Sequence, residues 1–277
     1  MAFSSFYKKL ALFLILLFPI LFIKQCDKRA NHFFQELPYW PCSDNYPNIE
    51  CVEGKRKIPN FQFVNHNGEI ISNSSLYGKN YIVHFFFTSC QTICPPITAN
   101  IKERIFDEIR PKEKIKNGKK VMEDQITILS VSIAEDTELN FIDYATDFNI
   151  NLTKNWHFLT GSFSDVRDFA SNLSLVAGHD PSIEIDGGFY HSSHVLLIDT
   201  AGFIRAGIDK KIIDQKAKGD ITNENSITYP DLVKKEDKEE DKIHYTWDGS
   251  SSYEMRTLAE DIKQLNFNQN IPRKNED

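Results

Sequence analysis

The sequence contains no Lys/Arg-rich stripe interleaved with aromatic residues, and its 32 basic residues against 39 acidic ones leave a formal net charge of −7. That balance argues against nucleic acid as the main partner, because phosphate binding needs a concentrated basic face. An acidic surface is compatible with a metal donor or a cationic protein patch, and equally with solubility alone. Cysteine is scarce, with five residues: Cys26, Cys42, Cys51, Cys90 and Cys94. The odd number leaves at least one thiol unpaired within a monomer. The remaining composition, 41% hydrophobic and 26% charged over 277 residues, suits one soluble domain with appendages.

The first residues depart from that composition. Lys8 and Lys9 precede an unbroken apolar run, 10–23, which ends at Lys24. At a rise of about 1.5 Å per residue the run is shorter than a hydrocarbon core of roughly 30 Å. It spans if the flanking lysines snorkel and the turn before it joins in. A cleaved signal peptide is the rival reading, but no small-x-small cleavage pattern follows, and bulky Gln25 before Cys26 disfavours a lipoprotein. Residues 1–24 are therefore expected to be an uncleaved membrane anchor. Lys24, Lys28 and Arg29 balance Lys8 and Lys9, so charge does not set its orientation.

Residues 25–57, with Pro38, Pro41, Pro47, several Asn and no sustained period, read as a linker. Within it Cys42 and Cys51 flank a Pro/Asn/Asp-rich segment, and either form a disulfide in an oxidising compartment or remain unrelated thiols. The folded domain is expected over 58–267, with a tail 268–277. Phe61 to Val64, Asn67-Gly68 and Ile70-Ile71 give a strand, a tight turn and a strand. Tyr81 to Phe87 is a near-continuous apolar run, as a strand buried on both faces requires. A helix is expected from Pro95-Pro96, with Ile97, Ile101, Ile105 and Ile109 on one face.

Further along, 126–133 predicts a second buried strand, followed by a helix capped by Asp136 with Leu139, Ile142, Ala145 and Phe148 inward. A short strand at 156–159 precedes a helix capped by Ser164 and carrying Val166, Phe169, Ala170 and Leu173. A strand at 194–198 returns through Ala201-Gly202 into Phe203-Ile204, and Ser251 or Ser252 opens a last helix. Alternating strands and helices predict an α/β sheet with helices on both sides, compatible with a thioredoxin-like layout. Residues 209–244 are rich in Lys, Asp, Glu and Asn and have little to bury, so they read as a charged insertion.

The chemistry concentrates at Thr88-Ser89-Cys90-Gln91-Thr92-Ile93-Cys94-Pro95-Pro96, between the central strand and a helix. The positive end of that helix favours thiolate, the form that binds metals and attacks disulfides. Pro95 biases Cys94 towards an extended conformation, so that the two cysteines flank a loop. Three residues separate them, where thioredoxins have two, and the wider loop lets two sulfurs straddle one ion. Two thiolates alone undersatisfy copper, which also accepts imidazole. His191 and His194 are the candidates and should face opposite sides of an extended segment, so one of them reaches the thiols. His66, His84 and His157 read as packing residues, and zinc would also fit two Cys and one His.

Phe85-Phe86-Phe87-Thr88-Ser89-Cys90 through Cys94-Pro95 resembles the copper-binding loop of the Sco/SenC family. His191-Ser192, running into Leu197-Ile198-Asp199 and Gly202, is similar to that family's ligand histidine ahead of a Leu-Ile-Asp-x-x-Gly turn, a register that matches His191 and not His194. The similarity covers 58–206 and resumes at Trp247-Asp248-Gly249. One stretch departs: Ser132-Ile133-Ala134-Glu135-Asp136-Thr137 keeps only the end of an Asp-Pro-Glu-x-Asp-Thr pattern, which leaves no acidic role for its first position. The resemblance implies a thioredoxin-like fold with copper, Cu(I) or Cu(II), on Cys90, Cys94 and His191. It also implies delivery to cytochrome c oxidase, notably subunit II, or to another copper client, with a copper donor protein upstream. A bacterial inner membrane with the domain in the periplasm is the implied location. The alternative is a thiol:disulfide oxidoreductase using Cys90 and Cys94 as a redox pair. A thioredoxin-fold peroxidase is a third reading and has no use for His191.

Overall fold

The computed structural model describes residues 36–42, 50–109, 112–116, 119–123, 126–152, 155–208, 243–244 and 246–270. The expected anchor 1–24, Cys26 and positions 209–242 of the expected insertion lie outside the described residues. Among those described, no helix is long and apolar enough to cross a membrane. Leu37–Lys263 form one compact unit; Met1–Glu36 and Gln264–Asp277 form another, described only at Glu36 and in the helical stretch 264–270.

The main sheet follows the expected strands. β1 (Gln62–Asn65) and β2 (Ile70–Ser72) form a hairpin with Val64 opposite Ile70. Its turn is held by Asn65, whose Oδ1 accepts the amides of Asn67 and Glu69, each at 2.9 Å. β3 (Tyr81–Phe86), β4 (Thr127–Ser132) and β5 (Trp156–Thr160) run parallel, and β3 and β4 are buried at every residue. Parallel neighbours need crossover connections. These carry α1 (Cys94–Ile101), α2 (Glu138–Asp147) and, after β5, α3 (Phe163–Asn172). A hairpin of β6 (Ala177–His179) and β7 (Phe189–His191) precedes β8 (His194–Ile198), which lies antiparallel to β3 and pairs with β9 (Ile204–Arg205) and β10 (Trp247–Asp248). The order across the sheet is β9-β8-β3-β4-β5-β1-β2. This is the thioredoxin-like α/β arrangement expected.

The four-residue isoleucine repeat has a structural counterpart. In an α-helix, positions four apart drift by about 40° per step, so a strict period of four walks off the core. After α1 the chain widens into a π-helical turn, Lys102–Phe106, with the Asp107 amide bonded to the Lys102 carbonyl at 2.8 Å. Ile97, Ile101, Ile105 and Ile109 consequently all stay buried.

Three helix readings need correction. Thr137, not Asp136, caps α2, accepting from the Asn140 amide. Leu139 and Ile142 face solvent, while Phe141, Tyr144 and Ala145 are buried. The sequence offers two stripes three and four residues apart, and the aromatic one wins because it buries more area: the Phe86 ring lies 6.0 Å from Phe141 and 5.3 Å from Tyr144. For α3 the cap is Ser162, which accepts from the Asp165 amide; Ser164 stands 3.0 Å from it, oxygen to oxygen. The inward set Val166, Phe169, Ala170 and Leu173 is buried as read. The last helix, α4 (Ser252–Asn270), opens with the Ser251 hydroxyl accepting the Glu254 amide at 3.3 Å.

Part of the expected linker, from Leu37 to Trp40, is docked on the sheet edge. The Trp40 amide bonds to the Ile204 carbonyl at 3.0 Å, and the Ala206 amide to the Pro38 carbonyl at 2.8 Å. Leu37 and Trp40 are buried, Arg56 stacks on the Trp40 ring at 4.2 Å, and Arg205 lies 3.7 Å over Tyr39 while pairing with Asp199 at 3.1 Å. Two buried guanidiniums are tolerable because each has a π face and hydrogen-bond acceptors. Cys42 and Cys51 are disulfide-bonded, their Cα atoms 6.1 Å apart.

Candidate metal centre

β3 ends at Phe86, and the loop that follows is pinned before it reaches the first cysteine. Asp136, from the β4–α2 connection, accepts the Thr88 amide at 2.9 Å and the Thr88 hydroxyl at 2.7 Å. Ser132 donates to the same carboxylate at 2.7 Å. This is the work Asp136 does in place of capping α2. Two residues on, the Cys90 amide bonds to the Phe87 carbonyl at 3.3 Å, and the Cys94 amide points at Cys90 Sγ, also at 3.3 Å.

Cys94 is the first residue of α1, not part of an extended stretch. The pre-proline bias is overcome because the Ile97 amide closes on the Ile93 carbonyl at 3.3 Å, completing the first turn around Pro95 and Pro96. Both thiols are buried and free.

His191 ends β7, and register with β6 sets it there: Ala177 stands opposite His191 and Gly178 opposite Tyr190. The Tyr190 ring lies over Gly178, 2.4 Å from where a Cβ would stand, so a larger residue there would displace that exposed ring. His191 Nδ1 lies 2.8 Å from the Ser192 carbonyl. A carbonyl only accepts, so that contact puts the proton on Nδ1 and leaves a lone pair on Nε2, 3.0 Å from Cys94 Sγ. Phe87 walls the pocket, its ring edge-on to His191 at 6.0 Å between centroids.

The donor atoms of Cys90, Cys94 and His191 all lie within 4.8 Å of one another, and they are the one such group among the described residues. Metal–sulfur bonds near 2.3 Å and metal–nitrogen bonds near 2.0 Å fit an ion between them. Two sulfurs and one imidazole form a soft set. His194 is not in the group. It begins β8, a different strand from the one that carries His191, and burial depresses its pKa against the opposing pull of Asp248. His66 and His157 pack between β1 and β5, and His84 is a core residue bonded to Ser130 at 2.6 Å, as read.

The two thiols diverge. Hydrogen bonding from the Cys94 thiol pushes Cys90 down to about 4, against the effect of burial and with help from the amides of Cys94 and Thr92. Burial pushes Cys94 up, and its hydrogen bond to Cys90 adds to the rise. The helix terminus was expected to favour thiolate at both positions. It does not at Cys94, which is wholly buried and keeps its own proton as the donor to Cys90.

A residue the sequence reading passed over also meets this loop. Asp186 accepts the Gln91 amide at 2.9 Å and the Thr92 hydroxyl at 2.5 Å, and its Oδ2 lies 3.8 Å from Cys90 Sγ. The available signal was the turn sequence Asp186-Gly187-Gly188 shortly before His191.

The fold and site together define a thioredoxin-like protein whose Cys-x3-Cys loop is completed by a distant histidine. Residues 51–224 match the SCO1/SenC family model, well over half the chain. The chain belongs to the SCO1/SenC family. It is 32% identical over 115 residues to a SCO1 homologue of Bacillus subtilis, covering 41% of this chain and 54% of that one, so the match spans about half that relative's length. A protein of Stutzerimonas stutzeri described as copper-binding is 24% identical over 58% of this chain and 73% of its own. The fold is shared with a SCO1/SenC family lipoprotein of Bacillus anthracis, at a TM-score of 0.50 and 21% identity over 76% of this chain and 94% of that one.

Proposed function

We propose that this protein is a copper-binding metallochaperone for assembly of the cytochrome c oxidase copper centre, carrying one copper ion as cargo on Cys90, Cys94 and His191. The observation that carries the reading is the approach of His191 Nε2 to Cys94 Sγ at 3.0 Å. Thiol exchange needs two sulfurs and no third donor, whereas a copper ion on two thiolates needs one. The soft donor set favours copper over harder ions, and the relative described as copper-binding supports the choice. The client is oxidase subunit II or another copper protein, loaded from an upstream copper donor. The bacterial inner membrane is the proposed location, with 1–24 as anchor and the domain in the periplasm. The Cys42–Cys51 disulfide supports an oxidising compartment.

A second reading rests on the Cys90 thiol, held near 4. As a thiolate it can attack a client disulfide; Cys94 then attacks the Cys90 sulfur, releasing the reduced client and leaving a Cys90–Cys94 disulfide. Copper and disulfide compete for the same sulfur lone pairs. His191→Ala separates the two, since it removes the third donor and leaves both thiols. In cells lacking the protein, the His191→Ala chain is expected not to restore oxidase activity. Full rescue would leave thiol reduction as the function and end the chaperone reading.

A further inference from the structure

Between the π-helical turn and β4 the chain forms an antiparallel ribbon of two strands, Lys112–Lys116 and Lys119–Glu123. Among the described residues the ribbon is a sheet of its own and pairs with no other strand. A lone two-stranded ribbon is marginally stable in water, so it gains from a surface to lie on. Its position is fixed at both ends, because Ile109 and Ile126 are buried and each lies three residues from it. β3 and β4 are parallel; the metal loop follows the end of β3, and the ribbon precedes the start of β4. Ribbon and thiols therefore leave the sheet at opposite ends of six-residue strands, about 20 Å apart along the strand direction.

The two ends also differ in charge. The ribbon carries Lys112, Lys114, Lys116, Lys119 and Lys120. Its register sets Lys112 opposite Glu123, Lys114 opposite Val121 and Lys116 opposite Lys119. Alternation along a strand then places four of the five lysines on one face of the ribbon. Like charges directly opposite each other weaken a strand pair, and an anion held against that face relieves the Lys116–Lys119 pair. At the metal end the pattern is reversed. No Lys or Arg lies between Lys79 and Lys102, nor between Arg167 and Arg205, the two stretches that supply the metal donors. In a chain of net charge −7 the ribbon is thus a local concentration of positive charge, set at the end of the sheet away from the thiols.

We propose that the lysine ribbon docks the domain on a bilayer bearing anionic phospholipid headgroups, with the metal centre turned away from that surface. This rests on the membrane location proposed above. With 1–24 embedded, residues 25–36 tether the domain within about 40 Å of the bilayer at full extension. The ribbon then meets the headgroups at high effective concentration, so a modest intrinsic affinity is enough. Each lysine close to an anionic surface strengthens association roughly fivefold. Residues 112–123 contain no arginine and no aromatic side chain, so nothing there stacks on a nucleic-acid base. That favours headgroup phosphates, which ask only for diffuse positive charge. Docking by this end leaves Cys90, Cys94 and His191 open to a partner.

The test places the full chain in lipid nanodiscs and follows hydrogen–deuterium exchange of the 112–123 amides. Discs of phosphatidylcholine alone are compared with discs that also contain phosphatidylglycerol. At about 0.1 M salt, the ribbon amides are expected to exchange roughly tenfold more slowly in the anionic discs. The difference should vanish at about 1 M salt, where the Debye length falls to about 3 Å. Replacing all five lysines with Gln should abolish it. Replacing them with Arg should preserve it, which separates lost charge from a ribbon that no longer forms. Equal exchange in the two kinds of disc, or a difference that survives the Gln replacements, would overturn the docking. Slowing by an added DNA duplex but not by anionic lipid would overturn the choice of partner. A chain that enters neither kind of disc would remove the anchor reading, and this proposal with it.

Discussion

Asp136 receives two hydrogen bonds from Thr88, from its amide and from its hydroxyl, across 48 positions of sequence. The contact joins the ends of two adjacent parallel strands, and it lies two residues before Cys90. Replacing Asp136 with Ala strips acceptors from the Thr88 amide and hydroxyl and from Ser132. A loss of about 2 kcal/mol is expected, since hydrogen bonds to charged groups contribute at that level. Urea denaturation of the metal-free protein measures it. Asp136→Asn should recover part of the loss, and no change in midpoint for the Ala variant would show that the tie is incidental.

Copper titration should sort the histidines. Cys90→Ala, Cys94→Ala and His191→Ala are each expected to abolish tight one-to-one binding, because each removes one of three converging donors. His194→Ala should retain it, as His194 lies outside that group. The reverse result for the two histidines would place the site elsewhere.

Acid sensitivity should trace in part to His84. It faces Ser130 in register on β4; Trp156 donates to the Ser130 hydroxyl at 3.0 Å, which leaves that hydroxyl's proton for His84 Nε2 at 2.6 Å. Burial, with the nearby His191 adding to it, pushes the His84 pKa from 6.5 down to about 3. A depressed folded pKa means that the unfolded chain binds the proton first. The contribution is complete above about pH 6.5 and is lost as pH falls towards 3. The urea midpoint should therefore drop between pH 6.5 and 4, and drop less in His84→Phe. Parallel curves for the two proteins would remove His84 from the account.

Trp40 should behave as a core residue although it lies in a stretch that reads as a linker. It is 3% exposed and carries the Arg56 guanidinium on its face. Trp40→Ala is expected to cost about 3–5 kcal/mol, the range for a large aromatic removed from a core. Thermal unfolding of the metal-free protein checks this, and a shift of only a degree or two would return residues 37–42 to a peripheral role.

Much of the architecture was legible from local pattern. The apolar runs at Tyr81–Phe86 and Thr127–Ser132 announce strands covered on both faces, and Cys90, Cys94 and the prolines after them announce a strand-loop-helix junction. Such features depend on residues a few positions apart, and a one-dimensional sequence displays those directly. The π-helical turn after α1 was not read, because the isoleucine period passes for one face of an ordinary helix.

What the sequence could not decide were questions with two locally equivalent answers. Leu139/Ile142 and Phe141/Tyr144 are both helical stripes, and only the partners across the core, Phe86 and Phe158, choose between them. Asp136 is a sound helix cap until Thr88 claims it, and Pro38 and Trp40 sit in no regular period because their backbone partners, Ala206 and Ile204, lie on β9 and beside it. At the site, family likeness favoured His191, but its reach to Cys94 across 97 positions exists because β8 pairs with β3, setting Leu196 opposite Val83, and because β7 pairs with β6. Residue types and local pattern specify the kinds of donor and the strand-loop-helix that carries two of them. Tertiary structure decided which distant side chains join them, because strand pairing, and not spacing along the chain, sets those distances.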